Sequence, residues 1–347
     1  MPVYRIDPFR EAHWDSFLQA HPHASVFHTR AWLRALQFTY GYEPLAFTSA
    51  LPGSALTNAI VFCRIQSFLT GSRLVSVPFA DHCQPLVSGP GDLNALLSHL
   101  EEILASESCQ YFELRGSSAI PDLQKGSRLS RSASFVHHVL DLRPDLETVF
   151  RRFHKSCVQR KIRRAEREGL RYDEGCSDKL LRQFYRLLVL NRRRHGLPPQ
   201  PLAWFFNLRD SLGSALQIRI VSREGLPIGG IVTARYKQRM FYKYGASDAR
   251  FHSLGAMPLL FWRTVQQTKE LGLCELDLGR SDSDDQGLIA FKDHLGASSS
   301  TLNYYRYPEN FAAVGKLRGR SLVRRLCTRL PSPLLRVVGR LLYRHIG

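Results

Sequence analysis

The sequence holds no C-x-x-C pair. Its seven cysteines, at 63, 83, 109, 157, 176, 274 and 327, stand apart, and none is grouped along the chain with histidines as a ligand cluster. That scatter excludes a disulfide framework, leaves no metal site to expect, and fits a reducing compartment. The opening stretch MPVYRIDPFREAHW carries acidic residues and no apolar core run, so no cleaved secretory signal is expected. No segment has the uninterrupted apolar length needed to cross a bilayer. The expectation is a cytoplasmic chain. Neither a serine nor a cysteine stands in a nucleophile-elbow pattern, and Cys157 has no evident partner histidine, so no covalent enzyme intermediate is expected. Acidic residues are also absent from 311–347, which holds nine Lys or Arg.

What is present supports two ordinary cores. The chain has 347 residues, 44% hydrophobic and 11% aromatic, the composition of a folded protein. Its net charge of +18 is uneven. Residues 1–140 are nearly balanced, with ten basic and eleven acidic side chains, whereas 151–194 alone carry fifteen basic against five acidic. Together with the tail this makes two basic blocks, of a kind that attracts phosphate-bearing ligands, nucleic acid or an anionic membrane. A solvated helix face is the plainer alternative for any one of these charges.

Apolar periodicity and turn residues predict helices over 8–20 and 28–38, strands over 44–50, 59–68 and 73–77, a helix over 93–105 capped by Asp92, and strands over 111–114 and 135–140. Helices follow over 145–153, 155–168, 178–195 and 202–212. Strands are expected at 216–222, 228–236 and 239–245, then a helix at 256–271, a strand at 274–278 and a short helix carrying Phe291 and Lys292. The two halves share this order. CQYFELRGS (109–117) stands opposite LCELDLGRS (273–281), pairing Glu113 with Asp277, Leu114 with Leu278 and Ser117 with Ser281. Duplication is the expectation. It gives a mixed α/β fold of two like domains, 1–140 and 141–310, followed by a basic helical tail, 311–347.

Three stretches carry candidate chemistry. RFHSLGA (250–256) joins a strand to a helix and places Arg250, Ser253, Leu254, Gly255 and Ala256 where backbone N–H groups and the helix dipole can bind a pyrophosphate. The helix over 154–168 presents Lys155, Arg160, Arg163, Arg164 and Arg167, whose guanidinium forks suit phosphate. In the tail, Leu334, Val337 or Val338, Leu341 and Leu342 make an apolar face beside Arg336, Arg340 and Arg344, the pattern of a helix lying on an anionic membrane. A helix packed on the protein is the other possibility.

The loop at 250–256 resembles the R-x-x-G-x-G/A pyrophosphate loop of GNAT-type N-acyltransferases, with Ser253 where that pattern has its first glycine. HKSCVQRKIRRAEREGL (154–170), NRRRHGLP (191–198), PIGGIVTARY (227–236), YKYGASDARFHSLGAMPLLFW (242–262), LDLGRSD (276–282) and GLIAFKDHLGA (287–297) extend the resemblance to the FemAB-like branch, whose members carry two tandem GNAT-like domains. The resemblance covers most of 141–310. It implies an N-acyltransferase acting on an amine of an envelope or exopolysaccharide precursor, with acyl-CoA (acetyl-CoA) as donor and no metal. Aminoacyl-tRNA is the alternative donor, and a non-catalytic scaffold is a further alternative. It also implies Lys292 near the transferred group, and Asp277 orienting or deprotonating the amine. Backbone near Tyr244 and Gly245 would serve as an oxyanion donor, Lys155, Arg160 and Arg163 would meet a phosphorylated acceptor, and Asp81 and His82 would line an acceptor loop. A peripheral position at the inner membrane face, through 316–347, completes the expectation.

Overall fold

The computed structural model describes residues 2–106, 109–116, 129–308 and 327–347. These fall into two compact units: one within Met1–Phe135, Thr301–Leu317 and Leu341–Gly347, the other within Val136–Ser300 and Arg318–Arg340. The boundaries expected at 140/141 and 310/311 differ from this division, which passes through two strands. Ser117 of the internal match and residues 311–326 of the tail lie outside the described residues.

In chain order the first unit contains β1 (Tyr4–Ile6), α1 (Trp14–Ala20), α2 (Arg30–Tyr40), β2 (Glu43–Thr48), β3 (Ile60–Ser67), β4 (Gly71–Val75), α3 (Pro90–Ser106) and β5 (Tyr111–Arg115). The strand β6 (Ser130–Asp141) leads into the second unit. There follow α4 (Leu146–Arg152), a π-helical turn (Lys155–Gln159), α5 (Arg160–Arg167), β7 (Arg171–Gly175), α6 (Asp178–Arg194) and α7 (Leu202–Leu212). Next come β8 (Leu216–Arg223), β9 (Leu226–Tyr236), β10 (Arg239–Ser247), α8 (Ala256–Glu270), β11 (Glu275–Asp282) and α9 (Gln286–His294). The strand β12 (Ser298–Tyr307) returns to the first unit, and α10 (Ser332–Leu342) lies in the tail.

The helix expected from residue 8 starts instead at Trp14, because Asp7 turns the chain by accepting a hydrogen bond from the Phe9 amide at 2.8 Å. Helix α2 is capped by Thr29, whose hydroxyl accepts from the Trp32 amide, and it buries Trp32, Leu33 and Leu36 as its periodicity predicts. Helix α3 buries Leu93, Leu96, Leu97 and Leu100, an i, i+3, i+4, i+7 stripe.

In the first unit the strand order is β1-β2-β3-β4-β5-β12, with β4 and β5 parallel and the other neighbours antiparallel. In the second it is β6-β11-β10-β9-β8-β7, with β10 and β11 parallel. Each unit therefore contains a strand, an amphipathic helix and a parallel strand: β4–α3–β5 and β10–α8–β11. The registers agree in detail. The β4–β5 ladder runs through Val75↔Glu113 and the β10–β11 ladder through Phe241↔Asp277, so the two carboxylates matched in the sequence occupy equivalent places. Buried Phe, Leu and Ile from the strands and from α3 form the core of the first unit, and the second is packed by Phe153, Ile162, Leu259, Leu260, Phe261 and Leu276 among others.

The first unit also buries a histidine completely. His28 sits in a reciprocal cap with Ser25, and its Nε2 faces the Gln84 carbonyl at 3.0 Å. Burial holds its imidazole down to about 4, against an ordinary value of 6.5. The folded chain keeps it neutral while the unfolded chain takes up the proton. Its contribution is therefore whole above pH 6.5 and is lost as pH falls toward 4, on the order of 3 kcal/mol. We expect the stability difference between the wild type and His28→Gln, measured by urea unfolding, to shrink through that window. A difference independent of pH would contradict this.

Candidate active site

In the second unit the parallel strands β10 and β11 share a ladder of three pairs, Arg239↔Glu275, Met240↔Leu276 and Phe241↔Asp277. Beyond Phe241 an irregularity between Tyr242 and Tyr244 shifts β10 along β9, and the two parallel strands part. The Tyr242 hydroxyl lies where a Cβ on Gly245 would be, so a larger residue at 245 would have to displace that ring. Tyr244 is buried and accepts a hydrogen bond from Trp204 Nε1 at 2.8 Å, with Phe205 edge-on at 5.1 Å. Its side chain thus braces β10 against α7, while the oxyanion expectation at 244–245 concerns the backbone.

The β11 limb of this fork is held by three side chains. Asp277 Oδ1 accepts from His137 Nε2 at 2.9 Å and from the Gly279 amide at 2.7 Å. Lys292 Nζ donates to the carbonyls of Gly279 at 2.9 Å and Arg280 at 3.2 Å. Gly279 has φ of +68°, a left-handed conformation that these groups fix. Lys292 is 2% exposed, so it is no surface lysine of an amphipathic helix. It holds a positive charge against the β11 limb. Asp277 is thus engaged through Oδ1 by β6 and by its own strand. His137, which supports it, was missed: it lies 140 residues away and only the β6–β11 neighbourhood joins them. Next to it His138 is buried, with Asp293 Oδ1 at 3.2 Å from its Nε2; burial and the nearby Lys292 lower its pKa, against Asp293.

The turn at 250–256 is a 3₁₀ helix, Ala249–Leu254, that ends at Gly255, φ +82°. The backbone carbonyl of Lys161 occupies the space a Cβ on Gly255 would take. The glycine therefore admits the close approach of α5. Pro258, in the first turn of α8, has no amide to offer. Leu254 and Ala256 are buried and Ser253 is exposed. Arg250 is clamped to Asp248 through Nη2 at 2.6 Å and Nε at 3.1 Å, and these bonds hold the Asp248 carboxyl below its ordinary range. The guanidinium still has 73% of its side chain exposed. His252 is held low by burial and by the cations Arg194 and Lys161.

Helix α5 begins with the π turn and buries Val158, Ile162 and Ala165, which places Lys155, Arg160, Lys161, Arg163, Arg164 and Arg167 outward. Gln159 donates to the Phe153 carbonyl at 2.7 Å. Arg160, Arg163, Glu166 and Arg167 line one shallow hollow and Arg160, Arg164, Arg167 and Glu168 another. Cys157 does have partner histidines: His154, three residues before it, and His294, at the end of α9.

In the first unit the loop after β4 holds Val77 and Phe79 at φ of 50° and 60°, values that cost a β-branched or bulky residue energy. Arg115 restrains it by donating to the Val77 carbonyl at 3.1 Å. Burial pushes the Glu113 carboxyl up, but Arg115 and Arg306 outweigh that and hold it below the usual range. His82 is buried edge-on to Phe27 at 5.4 Å, and the Asp81 carbonyl accepts from the Tyr304 hydroxyl at 2.7 Å. Both residues build this strained loop.

Residues 152–292 match the family described as acetyltransferase (GNAT) domain. The second unit thus carries a GNAT acyltransferase fold. A UDP-N-acetylmuramoylpentapeptide-lysine N(6)-alanyltransferase of Weissella viridescens is 26% identical over 163 residues, 45% of this chain and 48% of that protein, so the match spans about half the length of that relative. A solved structure described as FemX has a TM-score of 0.70 at 15% identity, covering 88% of this chain and 97% of that one. A tandem GNAT protein from the clavulanic acid biosynthesis pathway has a TM-score of 0.55 at 12% identity, covering 88% and 98%. These similarities place a GNAT-type domain in the second unit and liken the fold of the chain to that of FemX.

Proposed function

We propose that the chain transfers an aminoacyl group from charged tRNA to an amino group of a cell-envelope precursor, of the UDP-N-acetylmuramoyl-pentapeptide type used by its Weissella viridescens relative. The observation that carries this is the state of the donor turn. Gly255 is packed against the Lys161 carbonyl, while the same helix presents an exposed arginine row. A polyanion fits that row better than a pyrophosphate fits the turn. In the reaction the neutral amine attacks the ester carbonyl. The C–N bond forms, the C–O ester bond breaks, and the ribose oxygen receives the proton that the amine loses. Lys292 supplies positive charge for the oxyanion at the fork, and β10 backbone beyond Tyr242 is the candidate donor.

The acyl-CoA reading is favoured by one feature, the exposed Arg250 guanidinium. Mass spectrometry of the precursor separates the two. Incubation with charged tRNA should add an aminoacyl mass, and incubation with acetyl-CoA should add nothing. Acetylation without tRNA would overturn the tRNA reading.

The tail suits a peripheral position on an anionic membrane. Helix α10 buries Leu335, and Gly339 packs on the Pro199 carbonyl, so one side is closed. Leu334, Val337 and Leu341 stay 53%, 45% and 58% exposed beside Arg336, Arg340 and Arg344. Replacing those three apolar residues by Glu should weaken co-sedimentation with anionic vesicles by about two orders of magnitude, each apolar side chain contributing on the order of 1 kcal/mol. Undiminished binding would contradict it.

A further inference from the structure

We infer that His154, Cys157 and His294 form a binding site for a thiophilic divalent cation of the zinc type, joining the start of the basic helix to the end of α9. The possible ligand atoms of the three residues lie within 4.8 Å of one another. They are carried on ordered backbone. His154 caps the π turn Lys155–Gln159, Cys157 lies inside that turn, and His294 is the last residue of α9. The His154 amide donates to the His294 carbonyl at 2.8 Å, and the two imidazole centroids are 4.5 Å apart.

The chemistry of the set is selective. One thiolate and two imidazoles suit zinc and its borderline neighbours, whereas calcium and magnesium take oxygen ligands. Nδ1 of His154 already points its lone pair at the head of the helix, where it accepts from the Cys157 amide at 3.2 Å and faces the Ser156 hydroxyl at 3.3 Å. A cation would take that lone pair in exchange for two long, exposed hydrogen bonds. Three protein ligands leave a fourth position for water, and His154 is exposed on that side. Cys157 and His294 are half-buried, so the ion would enter from solvent without opening the core. Binding expels the thiol proton and is therefore weaker at low pH.

The sequence hid this site because its ligands combine an H-x-x-C pair with a histidine 137 residues further on. The metal would fix α5, which bears the arginine row, to the helix that places Lys292 two residues before His294.

Titration of the full chain with Co²⁺ tests the inference. The wild type should develop a thiolate-to-cobalt charge-transfer band at one equivalent, and Zn²⁺ should abolish it. Cys157→Ser should remove the band. His294→Gln should weaken zinc binding by more than the roughly 10- to 100-fold that loss of an outer-shell partner costs. Cys176→Ser, at a half-buried cysteine elsewhere, should change nothing. Circular dichroism would confirm that each variant is folded. No band in the wild type, or a band that survives in Cys157→Ser, would overturn the site.

Discussion

Lys292→Met is expected to lower kcat by about 100- to 1,000-fold while changing KM little, the loss typical of removing one preorganised charge or donor from an oxyanion site. The side chain is 2% exposed and donates to the Gly279 and Arg280 carbonyls on β11 just past the point where it leaves β10. A cation so placed needs no reorganisation when negative charge develops at the fork. Methionine preserves the length of the side chain and its packing with α9. It leaves two buried carbonyls without their donor, at about 1–3 kcal/mol. A lower melting temperature is therefore expected as well, and the kinetics separate the two effects. A folded variant with kcat within a factor of about 3 of wild type, roughly 0.6 kcal/mol, would show that Lys292 only shapes β11.

The second large effect should come from the arginine row. In the triple variant Arg160→Glu, Arg163→Glu and Arg167→Glu, KM for charged tRNA should rise by at least about 100-fold, and the slope of log affinity against log salt should flatten by about 2 to 3. All three positions are exposed and the buried row Val158, Ile162 and Ala165 is untouched, so the helix should persist. At saturating donor kcat should be retained, because the proposed function has these exposed side chains meet the donor and not the fork. An unchanged KM and salt slope would remove α5 from the donor surface.

Much of this arrangement was legible in the residues. Apolar periodicity marked α2, α3 and α8, and the match of CQYFELRGS to LCELDLGRS identified the equivalent strands β5 and β11 down to the carboxylates that end each parallel ladder. Lys292 was singled out because it follows Phe291 in the last short helix. Elements with little apolar contrast were not legible. Strand β12 opens with Ser298–Thr301, wholly exposed, and β7 alternates charges without a buried residue. Distant pairings were hidden too. Nothing near Asp277 announces His137, and nothing near Gly255 announces the Lys161 carbonyl that fills its open side. The Asp248–Arg250 clamp was within reach, since D-A-R at i, i+2 lets a carboxylate meet its neighbour's guanidinium across a turn.

The Gly255 contact shifts the choice of donor. With the turn at 250–256 packed by α5 and Arg250 held by Asp248, the proposed function assigns phosphate binding to the exposed arginines of α5.

The most direct measurement follows transfer to the precursor with a charged-tRNA pool, with and without prior ribonuclease treatment, in the absence of coenzyme A. Product should form with intact tRNA and disappear after ribonuclease. Product that survives ribonuclease, or that appears only when acyl-CoA is added, would contradict a tRNA-borne donor.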